Sequence, residues 1–226
     1  YKGLALSHLD EGATASVALQ RLLEEDDGRD HRQVGLVDVD GGAASHTGSA
    51  CIDWAGGVTG ADGSGYAIQG NCLAGHEVVE AMEAAWLAGG DLPFAQRLVD
   101  VLVAGDGAGG DKRGRQSAAL LVVREEAGYD GRDDIAVDLR VDDHAMPILE
   151  LERLLALNEL YLTASTPEEQ VAVDPALRAE LDAFAAAQGH PDFLTWVGTE
   201  NYEMRVADDL AWIDQRVLGI VRGERA

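Results

Sequence analysis

Residues 109–117 read Gly-Gly-Asp-Lys-Arg-Gly-Arg-Gln-Ser and run directly into Ala118-Ala119-Leu120-Leu121-Val122-Val123. Six consecutive apolar residues leave no polar face, so this run predicts a strand covered on both sides and central in a sheet. The loop ahead of it carries Lys112, Arg113 and Arg115 within four positions, in a chain with 17 Lys+Arg against 41 Asp+Glu. A basic loop feeding a rigid strand is well suited to presenting polar groups to a ligand. It is not a nucleotide loop. From Gly105 the pattern Gly-x-x-x-x-Gly reaches Gly110, but Asp111 stands where lysine is required and no Ser or Thr follows it.

The net charge of −24 argues against nucleic acid, whose phosphates the chain would repel. The acidic residues are spread along the whole length, as on a solvated surface rather than an acidic tail. Lys2 and Lys112 are the lysines, and every other cation is arginine. An acidic, lysine-poor, alanine-rich surface is expected of a protein from a salt-loving, GC-rich host, where salt screens the self-repulsion. No stretch approaches the roughly 18–20 apolar residues that cross a bilayer, and no signal-peptide pattern opens the sequence, so a cytoplasmic protein is expected. Cys51 and Cys72 are too few for a disulfide scaffold and are expected as buried free thiols. The scattered histidines show no ligand spacing, so neither a metal nor a cofactor is expected.

Along the chain, helices are expected over residues 2–9 and 14–25, the second capped by Thr14. A hairpin over 33–46 turns at Asp40-Gly41, and a strand covers 65–70. Helices then cover 77–88 and 91–105, with Asp91 as cap of the second. Ile135, Val137, Leu139 and Val141 alternate with Ala136, Asp138 and Arg140, which predicts a half-exposed strand paired with 117–124 through a turn-rich segment at 125–133. A long helix follows over 146–162. Ser165-Thr166-Pro167 marks a boundary between a domain at 1–164 and a helical module at 165–226. Strands with helices on two sides indicate an α+β layered sandwich rather than a bundle.

Asp111, Arg113, Arg115, Gln116 and Ser117 are the candidate ligand-binding residues, because the arginine fork matches a planar anion. The alternative is an ion-pair knot with Asp138, Asp142 or Asp143 that fixes the loop. Thr47 is a candidate hydroxyl beside His46, although neighbours in an extended segment point apart. Cys51 is a candidate internal nucleophile in a loop rich in glycine. Asn71 is either an oxyanion donor or a helix cap, and His144 either a base or the cap of the helix after it.

His46-Thr47-Gly48 with Cys51 and Trp54-Ala55-Gly56, Gly65-Tyr66-Ala67 with Gln69-Gly70-Asn71, residues 109–121, and Val137-Asp138-Leu139-Arg140-Val141-Asp142-Asp143-His144 occur in this order. In this the chain resembles a prokaryotic family, domain of unknown function 1028, placed in the N-terminal-nucleophile hydrolase superfamily. The resemblance covers residues 1 to about 162. It implies a four-layer αββα, proteasome-like sandwich whose opening strands would precede Tyr1. It also implies an amidohydrolase in which a first-residue Thr, Ser or Cys attacks a carbonyl with its own α-amine as base. Tyr1 has no such chemistry, so the nucleophile is not expected in this sequence. A small anionic amide is the expected substrate, a non-catalytic binding or scaffold protein is the alternative, and a homodimer is expected from the fold family. Trp196-Val197-Gly198-Thr199-Glu200-Asn201-Tyr202-Glu203-Met204-Arg205 resembles a small helical module labelled peptidoglycan-binding. For that module a packing role is expected ahead of peptidoglycan.

Overall fold

The computed structural model describes residues 1–60, 65–128 and 131–224. The turn expected over 125–133 therefore lies partly outside the described residues. The chain divides into two compact units, one of Tyr1–Leu120 with Asp138–Glu152, the other of Leu121–Val137 with Arg153–Ala226.

The first unit opens with helices α1 (Lys2–Asp10) and α2 (Ala15–Glu24). Thr14 caps α2 by accepting from the Val17 N–H, and Ala15, Ala18, Leu19 and Leu22 form its buried face. That face lies on a hairpin of β1 (Gln33–Val37) and β2 (Ala43–Thr47), antiparallel from Gln33↔Thr47 to Val37↔Ala43. Asp38 closes the hairpin. Its carboxylate accepts from Gly42 N at 2.7 Å and, across to the start of α2, from Ala15 N at 2.8 Å. These backbone donors hold the Asp38 carboxyl below the usual range.

A second antiparallel hairpin joins β3 (Gly56–Gly60) to β4 (Tyr66–Gly70), and the two hairpins lie against each other. Gly35 sets how closely they approach, since a Cβ there would sit 2.7 Å from the Ala67 Cβ. Helices α3 (Glu77–Ala88) and α4 (Phe94–Gly107) pack together, and α3 covers the second hairpin. Ile68, Val79, Trp86 and Val101 are buried there. A Cβ at Gly105 would lie 2.8 Å from Met82 Cγ, so the bare position is what permits the close helix crossing.

Several expectations are corrected. Strand β3 was not among the expected elements, because three of its five residues are glycine and carry no β-preference. Helix α4 is not capped by Asp91: Pro93 is its N-cap, with no side-chain cap hydrogen bond. It also runs past Gly105 to Gly107. The apolar run is β5 (Ala118–Val123), and among the described residues it pairs only with β6 (Ile135–Val141), in a two-stranded sheet. It is therefore not central, and not covered on both faces: Leu120 is buried while Leu121 and Val123 are 57% and 66% exposed.

Helix α5 (Pro147–Leu162) follows, and the division between the units falls within it. The second unit then holds β7 (Gln170–Ala172), α6 (Pro175–Ala187), α7 (Phe193–Thr199), β8 (Trp212–Asp214) and α8 (Gln215–Val221). Residues 165–226 were expected to be helical throughout. Instead β7 and β8 form a short antiparallel ladder from Gln170↔Asp214 to Ala172↔Trp212. Three residues per strand are too few to show an alternating pattern in the sequence. Phe193, Trp196, Tyr202, Ile213 and Val217 fill the core. The polar centre of this unit is Arg205, 1% exposed, with its Nη1 2.9 Å from Asp214 Oδ2 and 3.3 Å from Glu169 Oε2.

Candidate functional site

The loop after α4 owes its shape to the helix end. Gly109 N donates to Asp106 O and Gly110 N to Gly105 O, and both glycines take positive φ (+120° and +52°). These bonds satisfy carbonyls that a helix C-terminus leaves free. The loop then runs beside residues 72–74: Lys112 N donates to Cys72 O at 2.8 Å and Ala74 N to Gly110 O at 2.9 Å. Residues 72 and 73 are tied in turn to 52 and 54, through Cys72 N to Ile52 O and Leu73 N to Trp54 O. Three loops are thus laced by backbone bonds, and the Lys112 ammonium, donating to Asp53 O, adds a side-chain tie.

This lacing borders a cleft of about 560 Å³. One wall is apolar, from Leu73, from Val78 and Met82 of α3, from Leu102 of α4, and from Ile148 in the first turn of α5. The other is polar and contains Asp106, Asp111, Arg113, Arg115, Gln116 and Ser117. The five residues singled out as ligand-binding in the sequence therefore line one cleft.

The arginine partners differ from those expected. Asp138, Asp142 and Asp143 do not hold them, and Arg140 is the partner of Asp142. Arg113 grips Asp111 in a fork, Nε to Oδ1 at 3.0 Å and Nη2 to Oδ2 at 2.6 Å. The contact was hard to foresee because the residues stand two apart, and the turn at Gly114 folds the side chains back together. The Arg113 guanidinium beside it brings the Asp111 carboxyl down to about 2, and Asp111 raises Arg113 in return. Arg115 donates from Nε to Asp106 Oδ1 at 2.6 Å. Among the described residues its two terminal amino groups have no partner, and neither do the exposed side chains of Gln116 and Ser117. Asp106 was missed in the sequence; its only signal was its place in Gly105-Asp106-Gly107, at the end of a helix and ahead of a basic loop.

None of Thr47, Cys51, Asn71 and His144 lines this cleft. Thr47 and Asn71 meet at Gln33, another residue that gave no signal in the sequence. The Gln33 amide donates to Thr47 Oγ1 at 3.0 Å and to Gly70 O at 2.8 Å, and accepts from Asn71 Nδ2 at 3.0 Å. That bond ties Asn71 across to β1 rather than to a helix start. Cys51 Sγ faces Arg32 O at 3.5 Å, and His46 bonds Arg29 O at 3.0 Å. His144 Nδ1 accepts from Met146 N at 3.1 Å, just ahead of α5. Of the cysteines, Cys72 is buried and Cys51 only partly so. Among the described residues no group of three or more His, Cys, Asp or Glu is placed to hold a metal, and no helix is long and apolar enough to cross a membrane.

The fold and cleft define a mixed helix-and-sheet protein with an open amphipathic site beside a glycine-arginine loop. The model of a family of unknown function, DUF1028, matches residues 1–151, and the chain belongs to that family. It is also similar to the crystal structure of protein SPO2555 from Silicibacter pomeroyi, described under the same family model, at 36% identity and a TM-score of 0.60. That likeness covers 70% of this chain and 65% of the other, so the chain spans less than two thirds of its neighbour. No curated protein matches it.

Proposed function

We propose that the chain is the body of an N-terminal-nucleophile-type amidohydrolase whose cleft binds a small anionic amide. The observation that carries this is Arg115. Asp106 holds the guanidinium through Nε alone, which leaves a two-pronged donor edge for a carboxylate at the rim of a 560 Å³ cleft. Support for the four-layer αββα arrangement comes from the contacts within the first unit, where α2 lies on the first hairpin, the first hairpin on the second, and α3 on the second. We assign the second unit a packing role rather than a peptidoglycan-binding one, because Phe193, Trp196 and Tyr202 are consumed in its own core.

A binding protein on the same fold is the second reading. It is favoured by one fact: none of Thr47, Cys51, Asn71 and His144 lines the cleft. The test uses full-length protein purified from its own host. N-terminal sequencing that finds Thr, Ser or Cys first, together with release of free amine from N-acylated amino acids, supports the hydrolase. Saturable binding of those compounds without amine release, on a chain with another first residue, establishes the second reading.

A further inference from the structure

The cleft has two chemically different walls, and its polar wall has two kinds of unfilled hydrogen-bonding group. Arg115 offers a charged fork. Gln116 and Ser117, the next two residues, offer neutral donors and acceptors that no described side chain or backbone group uses. In the same cleft, Leu73, Met82 and Leu102 present aliphatic and thioether surface. Met82 is the adaptable part of that wall, since an unbranched thioether reshapes more readily than a branched chain. It lies over Gly105, where no side chain competes for the space.

We infer that the ligand is an N-acylated amino acid with an aliphatic side chain: carboxylate on Arg115, amide on Gln116 and Ser117, side chain on the Leu73–Met82–Leu102 wall. This deepens the anionic-amide reading and rests on it. A fully polar anion would leave the apolar wall wet, and a simple fatty acid would leave Gln116 and Ser117 unused. The volume suits the assignment, falling within the roughly 300–1,000 Å³ of small-molecule sites.

Calorimetric titration of the full chain with four probes separates the parts. N-acetyl-leucine carries all three groups. N-acetylglycine lacks the side chain, hexanoate lacks the amide, and N-acetyl-leucinamide lacks the carboxylate. N-acetyl-leucine is expected to bind about tenfold tighter than each of the others, the scale set by one buried aliphatic side chain or one charge-assisted hydrogen bond. In Arg115→Ala its advantage over N-acetyl-leucinamide disappears while the melting temperature is retained. Equal affinity for N-acetylglycine and N-acetyl-leucine overturns the aliphatic assignment and leaves the anionic reading standing. Equal affinity for hexanoate and N-acetyl-leucine overturns the amide assignment alone. N-acetyl-leucinamide binding as well as the acid, or no probe binding at all, overturns this inference and the anionic reading together. A preference for the acid that survives in Arg115→Ala overturns its placement in this cleft.

Discussion

Arg205 and Arg115 show the same side chain put to opposite uses. Arg205 is 1% exposed, and every nitrogen of its guanidinium is engaged: Nη1 with Asp214 and Glu169, Nε with Leu160 O, Nη2 with Glu159 O. Arg115 is 52% exposed and engaged at Nε only. Burial makes a charge costly unless all its donors are met, so a saturated arginine is a structural one. Exposure lets water meet the remaining donors, and a ligand can displace that water without leaving a charge unpaired. The comparison therefore separates a pin that holds the second unit together from a group available for binding in the first.

The largest effect is expected at the pin. Arg205→Ala removes the buried cation beside Asp214, which is 0% exposed, and should lower unfolding free energy by about 3–5 kcal/mol in urea melts. Replacing Arg205 and Asp214 together by Met and Leu should cost much less than Arg205→Ala, since no charge is then left unpaired. If the double variant is as unstable as the single, the pair is not what Arg205 contributes. Acid tests the same network. Burial alone would raise the Asp214 carboxyl, but the Ser165 hydroxyl, the Arg216 N–H and Arg205 outweigh it, so its folded value lies below 3.8. A lowered carboxyl contributes stability above its unfolded value, and that stability is lost as pH falls through the folded one. The second unit should therefore begin to weaken below about pH 4, and Asp214→Asn should flatten that dependence.

A smaller effect lies at the alkaline end. Burial, then the Tyr161 hydroxyl, pushes Tyr202 up to about 12 from 10.0. Its rings stack on Tyr161 at 5.5 Å. A raised folded value stabilises below the unfolded pKa and is lost as pH rises through the folded one. Stability should thus decline between about pH 10 and 12. Tyr202→Phe should lose that slope, and a slope unchanged in the variant would place the titration elsewhere.

These two regions also differ in how far the sequence revealed them. The cleft loop was legible because cations are scarce in this chain and three of them fall in one glycine-rich stretch. Local rules also located α3, the Thr14 cap and the Asp40-Gly41 turn, since each depends on neighbours in the chain. What stayed hidden depends on distance along the chain. Arg205 entered only as the last residue of a motif resembling a helical module, because Asp214, Glu169 and Leu160 reach it only through the fold. Gln33, which gathers Thr47, Gly70 and Asn71, was invisible for the same reason. Strand β5 failed differently: an apolar run states what a strand prefers to contact, not how many strands are beside it, and among the described residues β5 has β6 alone.

The smallest effect on stability is expected at Arg115, and it is the one that decides between structural and binding roles. In the Asp106–Arg115 pair the Arg115 side chain is 52% exposed and the Asp106 side chain 28%. Exposed pairs are worth about 0.2–1 kcal/mol, so Arg115→Ala should melt within a few degrees of the parent chain. Asp106→Asn is the sharper probe. It removes the charge that competes with a ligand for Arg115 while keeping a side chain that can still accept from Nε. Carboxylate affinity should rise in this variant and fall in Arg115→Ala, with both chains folded. Because the site is exposed and the protein carries a net charge of −24, added salt changes two terms of opposite sign. It screens the attraction to Arg115 and also the repulsion from the rest of the surface. The ratio of Asp106→Asn to parent affinity should therefore shrink as salt rises, because the removed carboxylate was the nearest repelling charge. If both variants instead lose cooperative unfolding, the pair is a structural knot like Arg205–Asp214, and the contrast between the two arginines collapses.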